Sequence, residues 1–340
     1  MLKNKNVLVA AIICLGLSNA NTAFGRNVGV VLSKIDDAQS AVTQNKNAVA
    51  NFEQGTNLYK QGDLKGAEAA FRKAIELEPN FVQAYIGLAN SLDEQGKPQE
   101  AIAIYKKAIS LDPKDSVVYF NLGLTLAKLN QLEAAIAQYK KALSLEPNYA
   151  DAHYYLANVL YAQQKPAEAV AEYTAAIRLN PKNPVAYNAL GNALYAQGKL
   201  EEAIADYKKA ISFAPNYADA HYNLASAFYA QGKLTEAIAD YREAIRLDPK
   251  HAQAYAGLGN AMDDQGKPQE AIAHYKKAIS LVPNDALTYY NLGITLGREQ
   301  QPEEAIVNLK KARELFQADE NKQMVEQVDQ LIQKINPRRN

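Results

Sequence analysis

The sequence has no excess of either charge: 37 lysines and arginines meet 37 aspartates and glutamates over 340 residues. Without a basic surplus there is no electrostatic footprint for nucleic acid, and without an acidic run there is no solvating tail. Cysteine occurs once, as Cys14, which leaves no disulfide framework. No glycine-rich phosphate loop is present, and no serine sits in a nucleophile elbow. The four histidines, His153, His221, His251 and His274, have no partners at metal-ligand spacing. The expectation is a chain without catalytic residues, cofactor or metal. Tryptophan is missing too, whereas tyrosine reaches 21.

Only one long apolar run exists. Lys3 and Lys5 precede Val7–Leu17, and small and polar residues follow it, SNANTAFG. That is the layout of a secretory signal peptide, and the run is short of the ~20 residues a membrane-spanning helix needs. The signal is expected at 1–20, with a second candidate cut after Gly25, and an uncleaved anchor is the alternative. The expected destination is the periplasm or the cell exterior, with Cys14 removed on cleavage. Residues 21–47 then read as a lead-in helix, because Val28, Val31, Leu32, Ile35, Ala38 and Val42 recur at helical spacing.

Everything after that is periodic. Pro79, Pro113, Pro147, Pro181, Pro215, Pro249 and Pro283 recur every 34 residues without a slip. A fixed period of that size means stacked units, which grow without a central core. Eight units follow: 48–81, 82–115, 116–149, 150–183, 184–217, 218–251, 252–285 and 286–319. Positions four, seven, eight and eleven of each form one helical stripe, as in Tyr187, Leu190, Gly191 and Leu194. A second helix presents Ala203, Tyr207 and Ala210 in the same unit. Glycine marks the turn between them at Gly62, Gly96, Gly198, Gly232 and Gly266, where a left-handed residue suits a helix end. Pro98, Pro166, Pro268 and Pro302 fall where the second helix starts, the helical position that best tolerates proline. Residues 320–340 add a capping helix on the stripe Met324, Val325, Val328, Leu331, Ile332 and Ile335, then a tail.

These places, filled by a large aromatic, Leu-Gly/Ala, Ala, aromatic, Ala and Pro, resemble the tetratricopeptide repeat. The resemblance implies an all-α fold: antiparallel helix pairs stacked as a right-handed superhelical solenoid, with a concave groove lined by positions two, five, six, nine, twelve and thirteen. Departures are local. Asn51 and Gln54 replace the usual Tyr and Leu of the first unit, His153 and His221 take the aromatic slot, and the last unit has Leu309 and Gln317 for Tyr and Pro.

On the groove positions two residue types concentrate. Asparagine holds position six at Asn121, Asn223 and Asn291, and position nine at Asn90, Asn158, Asn192 and Asn260. Asparagine costs a helix about 0.5 kcal/mol against alanine, so seven such placements suggest use. An amide both donates and accepts, and can read an extended peptide backbone. The arrangement resembles the asparagine ladder in the repeat arm of O-linked N-acetylglucosaminyltransferases, without their transferase domain. Amides bonded between adjacent helices, or tolerated on a wet face, are the other reading. On that basis alanine at Asn158, Asn192 and Asn223 should weaken partner capture and leave helix content alone.

Tyr161, Tyr195 and Tyr229 hold position twelve, and Tyr154 and Tyr222 position five. Tyrosine gives amphipathic contact area at low entropic cost, for a peptide or for sugar rings, or it packs along the ridge between helices. Asp93-Glu94 and Asp263-Asp264 end a first helix against its dipole. They are either contacts for a basic ligand segment or the inheritance of a duplicated block, since the second and seventh units share QGKPQEAIA and YKKAISL. The function expected is a non-enzymatic, exported scaffold holding an extended protein segment. An envelope glycan bound by the tyrosines, or a second copy of the chain, is the alternative ligand.

Overall fold

A computed structural model describes residues 45–335. The expected signal peptide, and all but the last three residues of the expected lead-in segment, lie outside these residues, as does the tail after Ile335. Among the described residues every regular element is an α-helix.

The chain divides into two compact units at Pro181/Lys182. The N-terminal unit holds four helix pairs. They are α1 (Lys46–Lys60) with α2 (Leu64–Leu77), α3 (Val82–Glu94) with α4 (Pro98–Leu111), α5 (Ser116–Lys128) with α6 (Leu132–Leu145), and α7 (Ala150–Ala162) with α8 (Pro166–Leu179). The C-terminal unit holds α9 (Pro184–Ala196) with α10 (Leu200–Phe213), α11 (Ala218–Ala230) with α12 (Leu234–Leu247), α13 (Ala252–Asp264) with α14 (Pro268–Leu281), and α15 (Ala286–Arg298) with α16 (Pro302–Ala318). A last helix, α17 (Lys322–Ile335), follows. Each pair is one repeat, and the eight pairs keep the register that the prolines set.

The turns explain where each pair folds back. Gly62, Gly96, Gly198, Gly232 and Gly266 all have positive φ. The remaining pairs put Asn130, Gln164 and Gln300 at the same place, again with positive φ. For a side-chain-bearing residue the left-handed region costs roughly 1–2 kcal/mol, so the glycine is used where it occurs and its absence is tolerated.

Packing rests on one ring in each of the first seven repeats and on Leu309 in the eighth. Tyr105, Tyr139, Tyr173, Tyr207 and Tyr275, on the second helices, are all but fully buried. They lie against the first helix so closely that a Cβ on Gly191 would stand 2.5 Å from the Tyr207 ring, and one on Gly123 2.6 Å from Tyr139. Position eight is small because the ring needs that space.

Junctions between repeats are sealed at position four. Tyr85 and Tyr119 donate their hydroxyls to the carbonyls of Pro79 and Pro113, at 3.1 and 3.2 Å. His153 and His221, in the same slot, direct Nε2 at the carbonyls of Pro147 and Pro215, at 3.1 and 3.2 Å. Their Nδ1 atoms meet Glu172 and Asp240 across the pair, at 2.6 and 2.9 Å. For His221 the Asp240 hydrogen bond raises the pKa against the burial that opposes it.

At the C-terminus the capping stripe faces inward, as the sequence spacing requires. Val328 is fully enclosed, and Met324, Val325, Leu331, Ile332 and Ile335 pack with it on Ala286, Leu309, Ala312 and Phe316.

Candidate functional site

The asparagines of position nine are set one residue beyond the small position eight, and the ring that fills that space reaches them. Tyr173, Tyr207 and Tyr275 donate their hydroxyls to Oδ1 of Asn158, Asn192 and Asn260 at 2.6, 2.8 and 2.9 Å. Tyr105 does the same to Asn90. In the sixth repeat Ser226 takes the place of asparagine, 3.1 Å from the Tyr241 hydroxyl. In the eighth, Leu309 replaces the tyrosine and the matching position carries Ile294. The third repeat breaks the match. It has Leu124 at position nine, and the buried Tyr139 hydroxyl has no hydrogen-bond partner.

Half of each of these amides is therefore engaged inside its own repeat. Alanine at Asn158 or Asn192 would strand a tyrosine hydroxyl, so the triple substitution expected to spare the fold does not isolate ligand contact. The other half differs from site to site. Nδ2 of Asn90 is buried without an acceptor, whereas Asn158 hydrogen-bonds Tyr154, one turn back on its own helix.

Position six gives a second set. Asn223 donates Nδ2 to Oδ1 of Asn188 at 2.9 Å, and Asn291 donates to Oδ1 of Asn260 at 3.0 Å, each reaching back to the preceding repeat. Asn121 is 4 % exposed and its Nδ2 has no acceptor.

The tyrosines are divided by the same geometry. Tyr154 is buried, T-shaped against Tyr155 at 5.3 Å and tilted against Tyr173 at 5.8 Å. Tyr222 lies tilted against His251, ring centroids 4.9 Å apart, and stays half-buried. Tyr161 is half-buried, and Tyr195 is exposed, at 39 %. Tyr229 donates its hydroxyl to Asp264 at 2.5 Å, and burial, then that bond, pushes its pKa up to about 12.

The acidic pairs have internal partners that sequence reading missed. Lys128 Nζ lies 2.7 Å from Asp93 and 3.2 Å from Glu94. Burial would lower the lysine's pKa, but the two carboxylates prevail and raise it. Arg298 pairs with Asp263, which also accepts from Thr295 at 3.1 Å.

Two clefts gather these residues, one in each unit. In the first, Tyr59, Asn90 and Asn121 face Asp93, Glu94 and Lys128, over a floor of Tyr105 and Leu124. In the second, Tyr229, Asn260 and Asn291 face Asp263, Asp264 and Arg298, over Tyr275 and Ile294. Every member of the second set lies five repeats beyond its counterpart in the first. Five of the eight are identical, and the other three are Glu for Asp, Leu for Ile and Lys for Arg in role. The volumes differ, about 30 Å³ and about 250 Å³. The letters that could have revealed the cleft were the shared segments of the second and seventh repeats, read together with the cations one repeat later.

Among the described residues no three metal-ligating side chains gather, and no helix is long and apolar enough to cross a membrane.

Tetratricopeptide repeat signatures match residues 52–116, 120–184 and 222–286. Further signatures for the same repeat match 191–232, and 172–205 with 274–307. No curated protein matches significantly. Several solved structures share the architecture. A chain of the APC/C hetero-tetramer Cut9–Hcn1 superposes with a TM-score of 0.60 at 18% identity, covering 89% of this chain and 59% of that one. PilF of Pseudomonas aeruginosa gives 0.57 at 21% identity, over 66% of this chain and 100% of its own. A tetratricopeptide repeat protein of Parabacteroides merdae gives 0.55 at 22%, over 74% and 100%. At these identities the likeness concerns the fold. With repeat signatures over more than half its length and helix pairs throughout both units, the chain belongs to the tetratricopeptide repeat family, a family of protein-interaction scaffolds.

Proposed function

We propose that this protein is an exported, non-enzymatic scaffold that holds an extended segment of a partner protein on the position-six and position-nine face of its first helices. The observation that carries the reading is the set of amide groups left over after the repeats have satisfied themselves. Nδ2 of Asn90 and of Asn121 is buried and unpaired. A buried donor without an acceptor costs about 1–3 kcal/mol, and a backbone carbonyl delivered by a ligand removes that penalty. An extended segment offers carbonyls at regular intervals, with little demand on its sequence. Export rests on the charged, apolar and small-residue order of the first 25 residues.

The test starts from cross-linking in the native cells to identify the captured partner. Asn121→Ala is the informative variant, because no tyrosine hydroxyl is known to depend on that amide. Its affinity for the partner segment is expected to fall about fivefold, one hydrogen bond's worth, with helix content unchanged and melting not lowered. Undiminished affinity would overturn the reading. Cell-wall glycan fragments and the protein's own self-association serve as comparison arms, and a stronger response from either displaces the peptide. Sequencing the N-terminus of the mature protein should find it starting at Asn21 or Arg26. An intact Met1 in a cytoplasmic fraction rejects export.

A further inference from the structure

We propose that the two equivalent clefts are a duplicated receptor for basic side chains, each taking one lysine or arginine residue of an extended segment. The inference rests on the peptide reading above and names the chemistry of the residues bound.

Charge gives the sign of the ligand. Each cleft holds two carboxylates and one cation: Asp93, Glu94 and Lys128 in the first, Asp263, Asp264 and Arg298 in the second. Each therefore carries one uncompensated negative charge. A tyrosine lines each, Tyr59 and Tyr229, and an aromatic ring is a favourable neighbour for a cation. The unpaired amide donors Asn90 and Asn121, both more than nine-tenths buried, line the first cleft and call for an acceptor. The backbone carbonyl beside a lysine supplies one. Basic side chain and carbonyl together answer what the cleft leaves open.

Size gives the scale of the ligand. At about 250 Å³ the second cleft falls below the roughly 300–1,000 Å³ usual for small-molecule sites, and suits one side chain. At about 30 Å³ the first has room for little more than water. The cause is the built-in cation. Lys128 bridges both Asp93 and Glu94, whereas Arg298 holds Asp263 and leaves Asp264 with only the Tyr229 hydroxyl. Lys128 thus occupies the first cleft as an internal stand-in for the ligand. The second cleft is ready, and the first opens by exchanging one ammonium for another.

The test is a calorimetric titration of the full chain with a short, end-blocked peptide carrying one lysine among alanines and glycines. The same peptide with norleucine is the neutral control. Two lysine peptides per chain are expected, with unequal affinities, and binding of the norleucine peptide weaker by about tenfold. Asp264→Asn should remove the tighter site, and Lys128→Met should tighten the weaker one about threefold by removing its competitor. Melting curves establish that both variants fold. Equal binding of the two peptides, no binding of either, or a stoichiometry unmoved by Asp264→Asn would each overturn the proposal. Loss of lysine preference while Asn121→Ala still weakens partner capture removes the clefts and keeps the scaffold. If no partner depends on Asn121, the peptide reading itself fails.

Discussion

The tyrosine that six of the second helices carry faces two demands. Its ring fills the space made by a small residue at position eight, and its hydroxyl, then enclosed, needs an acceptor at position nine. Asparagine meets that demand in four repeats and serine in one. In the third repeat Leu124 does not, and Tyr139 keeps a buried, unpaired hydroxyl. Removing an unsatisfied polar group is neutral or favourable, whereas removing a satisfied one orphans its partner. Tyr139→Phe is therefore expected to hold or raise stability by up to about 1 kcal/mol, and Tyr173→Phe to lower it by about 1–2 kcal/mol. Urea denaturation of the two variants compares them directly, and equal losses would refute the account. The choice of asparagine at position nine was legible in the sequence; its reason was not. A helical wheel gives the direction of Asn158, but not how near the neighbouring helix brings Tyr173. That distance follows from the small residue beside it, which the wheel counts only as part of the packing stripe.

Helix α10 shows what the repeat pattern tolerates within one element. Glu202 and Asp206 are one turn apart on it, like charges at the spacing where they repel. Burial first, and then Glu202, push the Asp206 pKa up to about 6. The sign follows from proton counting. The folded chain holds this proton where the unfolded chain, with an ordinary aspartate value of 3.8, has released it. Stability is therefore lost as pH rises through about 6, and the penalty is absent below 3.8. Asp206→Asn is expected to stabilise the protein at pH 7.5 by on the order of 1 kcal/mol, since solvent screens part of the shift. The gain should vanish near pH 3.5, a pH chosen as roughly below both values. Thermal unfolding of both proteins at the two pH values measures it; a gain that persists in acid would show a different cause. Among the described residues the helix pairs were readable in the sequence. Proline and glycine places marked where helices begin and reverse, because those residues change the backbone itself. The acid pairs at the ends of α3 and α13 were visible, but their cations were not. Lys128 and Arg298 stand on the next first helix, a full repeat away, and their meeting depends on how repeats stack.

For the molecule, the recurrence of the cleft after five repeats has a consequence for its length. The segment QGKPQEAIA begins at Gln95 and again, letter for letter, at Gln265. Both copies occupy the same turn and the same start of a second helix, on α4 and α14. A chain lacking residues 95–264 would join Glu94 to Gln265 with no change of local sequence across the seam. It would keep the first repeat, a composite of the second and seventh, the eighth, and the cap α17. Three repeats are about the minimum for a stable stack, so this short form is expected to fold, with a lower melting temperature and one basic-side-chain site in place of two. Circular dichroism and the lysine-peptide titration would show both. A disordered product would mean that the seam is not equivalent on its two sides. The composite would pair Asp93 and Glu94 with Arg298, and Asn90 with Asn291. Chain length and binding valence thus change together in steps of five repeats, and a recombination between the two identical stretches is enough to take one step.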